Sequence, residues 1–247
     1  MSLLEIRGVK YSIDGFMAVA GVDLSVARGE LAAIIGPNGA GKTTLFNLVS
    51  GFLTPDSGAI YFKGEKITGL PPYKIVRKGI CRAFQLVNIF HNMTVLQNVR
   101  MGVLADRGIT ANLFRDTEGL SEVNEEAERI LEAMGLSPYK DQVASTVPHG
   151  FQKSLEIGIA LSHKADLLLL DEPTSGMNPE ETQAFMRLME GVFGGGGVSV
   201  IIVEHDMDLV FNLARRVLVM CEGKIVADGK PEQVREDELV RRIYLGA

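Results

Sequence analysis

Residues Gly36-Pro37-Asn38-Gly39-Ala40-Gly41-Lys42-Thr43-Thr44 carry the most specific chemical signal in the chain. The pattern G-x-x-x-x-G-K-[ST] lies between an apolar run, Leu31–Ile35, and a helix-like run, Thr44–Val49. Strand, glycine-rich turn and helix start are the setting in which this pattern cradles phosphate. Gly36, Gly39 and Gly41 let backbone N–H groups of Asn38, Ala40 and their neighbours curl around an anion. The helix start adds unsatisfied donors and the positive end of its dipole. Lys42 brings a point charge for β- and γ-phosphates, Thr43 a hydroxyl for Mg²⁺, and Thr44 continues the cradle into the helix.

Three further polar groups end apolar, strand-like runs. Leu167–Leu170 ends in Asp171-Glu172. At that place Asp171 can hold Mg²⁺ through its water shell, and Glu172, one residue on, can act as base on an attacking water. Val200–Val203 ends at Glu204-His205, and the imidazole there can reach a terminal phosphate. Ile80–Ala83 leads through Phe84 to Gln85, whose amide oxygen suits Mg²⁺. The four histidines, at 91, 149, 163 and 205, show no zinc-ligand spacing.

The elements that must position these groups read as an α/β chain. Residues 3–30 alternate like strands, with Gly15 and Gly21 as turn points, and predict an antiparallel β layer. Tyr11 and Ile13 share one strand face by alternation, and Tyr11 either stacks on a base or packs within the sheet. Thr54-Pro55-Asp56-Ser57-Gly58 marks a turn before a strand at 59–62, and Pro71-Pro72 opens a short helix. From 86 to 162 the pattern turns helical. Thr94 caps a helix over 95–105, residues 106–120 form a connection, and Ser121 caps a helix closed by Gly135. The acids Glu122, Glu125, Glu126 and Glu128 form that helix's solvated face. A helix from Asn178 to about Phe193, helices at 206–215, 231–236 and 238–244, and a strand at 217–221 complete the reading. Buried parallel strands with polar C-terminal ends place ligands at those ends.

Bulk composition narrows the classes. With 247 residues and 46% hydrophobic content the chain can bury one large core. A net charge of −6 disfavours nucleic acid as partner. Cys81 and Cys221 lie far apart in apolar runs and read as small buried hydrophobes of a reducing compartment. The N-terminal residues lack a leader pattern, and no apolar run approaches the ~20 residues of a membrane-spanning helix, so any service to a membrane passes through a partner.

Taken together, the phosphate loop, Gln85, Val147-Pro148-His149-Gly150-Phe151-Gln152, Leu167–Glu172, Ser175-Gly176-Met177-Asn178 and His205 resemble the nucleotide-binding subunit of an ATP-binding cassette (ABC) transporter, in that family's order. The resemblance covers essentially the whole chain. Gly176–Thr182, Glu204–Met207 and Tyr244-Leu245-Gly246 are similar to the branched-chain amino-acid subgroup, whose urea and short-amide relatives share much of this. It implies a P-loop NTPase fold with a mixed or parallel sheet core (1–85 and 163–247), the antiparallel β layer, and an inserted α-helical subdomain (86–162). It implies ATP and Mg²⁺ as cofactors, and ATP hydrolysis that energises an importer. Expected partners are transmembrane permease subunits, a second ABC ATPase subunit and, indirectly, a solute-binding protein, with the chain peripheral on the cytoplasmic face of the inner membrane. Gly150 of the signature helix would offer its N–H to a γ-phosphate held by the opposite subunit. A non-transport relative and a regulatory nucleotide-binding module remain the competing readings.

Two departures stand out. Where the family has Leu-Ser-Gly-Gly-Gln, this chain has Val147–Phe151, and Pro148 lacks both hydroxyl and amide hydrogen. Ile13 takes the place of the family's adenine-stacking aromatic. Ile89 and Phe90 either dock a membrane subunit or fill the helical subdomain's own core.

Overall fold

A computed structural model describes residues 2–83, 89–108 and 117–245. The chain opens with the hairpin β1 (Ser2–Ile13) and β2 (Phe16–Ala27), enters the core as β3 (Leu31–Ile35), and passes through the phosphate loop into α1 (Lys42–Val49). It returns to the first sheet as β4 (Ser57–Phe62) and β5 (Glu65–Lys66). Helix α2 (Pro72–Lys78) then leads to β6 (Ile80–Ala83). A helical block follows: α3 (Val95–Asp106), α4 (Thr117–Ala133) and α5 (His149–Ser162). The rest alternates: β7 (Leu167–Asp171), α6 (Pro179–Phe193), β8 (Ser199–Val203), α7 (Met207–Leu213), the hairpin β9 (Arg216–Cys221) and β10 (Lys224–Gly229), then α8 (Pro231–Glu236) and α9 (Glu238–Leu245).

Among the described residues these strands form two sheets. The core sheet runs β10-β9-β3-β8-β7-β6, parallel except for the β10 edge. The second sheet, β2-β1-β4-β5, is antiparallel. Strict alternation decides which neighbour each core residue meets. Leu168, Leu170, Val200 and Ile202 face the cluster that includes the helical block, while Leu167, Leu169, Ile201 and Val203 face the antiparallel sheet and α1. That explains the unbroken apolar runs of β7 and β8: both faces are covered, so a polar side chain within a core strand needs a buried partner, as Arg82 of β6 has in Asp171. The polar residues at those ends therefore collect along one edge of the sheet.

Several expectations are corrected. Helix α4 begins at Thr117, so Ser121 lies within it and does not cap it. Glu126 is not simply solvated: with Glu122 it pairs with Arg107 of the segment after α3. Cys81 is buried, but Cys221 is only half-buried, because it ends an edge-side hairpin strand. The cap at Thr94 is present as a reciprocal box with Gln97. Gln85 and most of the 106–120 connection lie outside the described residues.

Candidate active site at the strand ends

The phosphate loop is wedged between two strands that come from elsewhere in the chain. A Cβ on Gly36 would stand 2.0 Å from the Met220 carbonyl oxygen of β9, and one on Gly41 2.2 Å from the Ala18 carbonyl oxygen of β2. Gly41 also has φ of 99°, which a side chain strains. Both approaches exclude any residue but glycine. Gly41 is the N-cap of α1 and gives no side-chain cap, so the first-turn N–H groups of Thr43 and Thr44 remain for an anion. Asn38 and Gly39 are exposed on the rim and Ala40 is buried, its carbonyl accepting from Gly223. Thr43 is exposed.

Lys42 is buried, and its Nζ donates to the carbonyls of Gly36 at 2.7 Å and Pro37 at 3.0 Å. Burial pushes its ammonium below the ordinary lysine value, and the charges of Glu172 and Asp171 oppose that shift. The two acids and the lysine are thus electrostatic neighbours, though far apart in sequence.

Asp171 is the last residue of β7 and 5% exposed. The Arg82 guanidinium of β6 donates from Nη2 to its Oδ2 at 2.8 Å. Glu172 leaves the strand in the left-handed region, φ 49°, with its N–H bonded to the Val203 carbonyl. Such a conformation costs a side-chain-bearing residue about 1–3 kcal/mol. It turns Glu172 out of the buried row, so its Oε1 meets His205 Nε2 at 2.9 Å. The base candidate and the imidazole, read separately from two strand ends, are in direct contact.

Sequence reasoning passed over three residues here. Glu204 is buried. Its Oε1 accepts from the Thr174 N–H and hydroxyl, and its Oε2 from the His205 N–H. It thereby ties the loop after Glu172 to the backbone of His205. Its signal was an acid closing the apolar β8 run. Arg82 is the second, hidden because its partner lies on another strand.

The third is Phe16. Asp14 and Gly15 both have positive φ, which gives the tight mirror-type turn that matches strand twist. This register sets Ile13 opposite Phe16. The two side chains, 45% and 66% exposed, share a face of the hairpin tip, and Phe16 is two residues along β2 from Ala18, whose carbonyl lies beside Gly41. Tyr11, paired with Val19, packs half-buried against the core cluster, while Ile13 is exposed at the tip. The register shift between Tyr11 and Ser12 leaves its extra residue, Ala18, on β2, so β1 keeps the alternation that puts Tyr11 and Ile13 on one face.

Gly150 lies in the first turn of α5, against Glu181 of α6. Pro148 is the N-cap of α5, and Phe151 is half-buried with its ring 4.5 Å from that of Tyr139. Among the described residues no group of three His, Cys, Asp or Glu could enclose a metal by itself. A metal here would depend on phosphate oxygens and water, as Mg²⁺ commonly does. The available groups fit it: the hydroxyl of exposed Thr43, and Asp171 Oδ1, which accepts no hydrogen bond among the described residues.

The model of the family described as ABC transporter matches residues 19–175. The chain belongs to the ABC transporter family. A second family model, branched-chain amino acid ATP-binding cassette transporter, matches residues 224–247, the β10–α9 end of this ABC protein. Over 253 residues it is 38% identical to the high-affinity branched-chain amino acid transport ATP-binding protein BraF of Pseudomonas aeruginosa, covering 99% of this chain and 98% of that one. It is 36% identical over 249 residues to LivG of Escherichia coli, with the same coverage. Among solved structures it resembles a nucleotide-free ATP-binding cassette from an ABC transporter, with TM-score 0.85, 32% identity and full coverage of both chains. The ADP conformation of the cassette MJ1267 is equally similar, at TM-score 0.85 and 32% identity over both full chains. The fold of this ABC protein is thus that of an ATP-binding cassette, and no helix among its described residues is long and apolar enough to cross a membrane.

Proposed function

We propose that this chain is the ATP-hydrolysing subunit of an importer for branched-chain or related amino acids. The observation that carries the reading is the Glu172–His205 contact beside the Lys42 loop. In this reading the loop amides and Lys42 bind the β- and γ-phosphates. Thr43 and Asp171, with Gln85 from beyond the described residues, would hold Mg²⁺, which neutralises charge on the phosphates. Glu172 accepts the proton of the attacking water, and His205 fixes the carboxylate and the γ-phosphate in line. Ile13 and Phe16 supply an apolar platform for adenine.

Assembly follows from what the chain leaves exposed. Gly150 and the α5 start serve a nucleotide held by a second ATPase subunit. Asn98, fully buried in α3, binds the Phe90 backbone through both N–H and carbonyl, so the ring projects outward, 52% exposed. Ile89, by contrast, is buried in the core. Phe90, with exposed Phe52 and Tyr73, suits a permease subunit at the cytoplasmic face of the membrane. A solute-binding protein would act through that permease.

Phosphate release by the assembled complex tests the reading. Glu172→Gln should abolish it while ATP binding persists; an unchanged rate would favour a regulatory nucleotide-binding module. Pro148 at the α5 N-cap removes a hydroxyl and an N–H that could meet phosphate, so Pro148→Ser should raise the rate. Cargo stimulation across branched-chain amino acids, urea and short amides separates the importer classes.

A further inference from the structure

We infer that Arg82 is the standing counter-ion of Asp171, and that Arg82 and a divalent metal compete for the charge of this one carboxylate. The inference rests on the metal reading of Asp171 given above. Both side chains of the pair are only 6% exposed. Asp171 Oδ2 is held by Arg82 Nη2 at 2.8 Å, and Oδ1 accepts no hydrogen bond among the described residues. Arg82 is itself clamped from α1 and the residue after it. Its Nη1 donates to Asn47 Oδ1 at 2.6 Å and lies 3.4 Å from Ser50 Oγ, and its guanidinium stands 5.7 Å from the Phe46 ring centre. The guanidinium cannot leave Asp171 without breaking contacts to a second element.

Two consequences follow. A buried carboxylate deprived of the cation hydrogen-bonded to it is costly, so the chain needs Arg82 when no metal is near. A metal approaching Oδ1 meets a carboxylate already half neutralised, and feels the repulsion of Arg82 and of Lys42, whose ammonium also senses Asp171. Arg82 therefore orients Asp171 and weakens its hold on the metal at the same time. It is a positioning residue: it acts through Asp171, and by holding that carboxylate it sets the metal affinity. The coupling is reciprocal, so whatever Arg82 does to metal binding, metal does to the need for Arg82.

The experiment compares melting of the full chain with ADP plus Mg²⁺ against ADP plus EDTA, and titrates Mg²⁺ by its effect on ADP binding. In Arg82→Met the Mg²⁺-dependent rise in melting temperature should exceed that of the wild type. The half-saturating Mg²⁺ concentration should fall on the order of tenfold. Arg82→Lys keeps the charge and loses the fork to Asn47, and should return both readings to near the wild-type values. A role confined to packing predicts the same Mg²⁺ increment in all three proteins, and that result overturns the inference. If Arg82→Met does not fold with EDTA, Mg²⁺ and ADP should restore its melting transition, and Arg82→Met/Asp171→Asn should fold without them. Failure of both overturns the inference. Asp171→Asn separates the two levels. If it abolishes the increment while Arg82→Met matches the wild type, only the counter-ion inference falls. If the increment survives Asp171→Asn, the metal reading falls and takes the inference with it.

Discussion

His205→Ala isolates one interaction in the site. The imidazole is 41% exposed and its partner Glu172 25%, so removing it opens no sealed cavity and should not unfold the chain. What is lost is the 2.9 Å hydrogen bond from Nε2 to a carboxylate. A hydrogen bond to a charged group contributes about 1.5–3 kcal/mol. At about 1.4 kcal/mol per tenfold in rate, this corresponds to a drop of roughly ten- to a hundredfold in kcat. The Lys42 loop is untouched, so KM for ATP should change less than about twofold. Steady-state phosphate release by the assembled complex, with ATP binding measured separately, gives both numbers. His205→Gln retains a donor of similar reach and should recover part of the rate. A large rise in KM at constant kcat would refute the reasoning, since it would place His205 in ground-state binding. A fall in kcat below about threefold would also refute it.

Three other outcomes are expected. Phe16→Ala should weaken ATP binding by roughly two- to tenfold through loss of ring contact, whereas Tyr11→Ala should lower the melting temperature and leave affinity unchanged; nucleotide titration with thermal melts distinguishes them. Glu204→Gln places an amide where the Thr174 and His205 donors converge, so kcat should fall about tenfold at constant ATP affinity, and an unchanged kcat would remove Glu204 from the site's support. Of the two thiols, burial pushes Cys81 up to about 12, so a thiol reagent near pH 8 should modify half-buried Cys221 quickly and Cys81 only on unfolding; two fast thiols would contradict the burial of β6.

Much of the site was legible in advance because its signals are local. The glycines and Lys42 lie within one turn, and an apolar strand announces its own end when Asp171, Glu172 or His205 appears. Element types followed from the same periodicities, since a short run of four leucines closed by acids suits a strand covered on both faces. The helix start at Thr117 was missed because residues 106–120 have no clear period, and Phe16 was missed because its place opposite Ile13 depends on the tight turn at Asp14-Gly15.

The sequence by itself determined a phosphate loop, a parallel core with polar strand ends, and the candidate acids and histidine. Only the tertiary structure decided that Arg82 meets Asp171, that Glu204 meets Thr174, and that Phe16 stands beside Ile13 near the loop. The physical reason is that charge pairing and buried hydrogen bonds act through space over a few ångströms. Arg82 and Asp171 are 89 residues apart in the chain, and nothing in either neighbourhood encodes the register that joins β6 to β7.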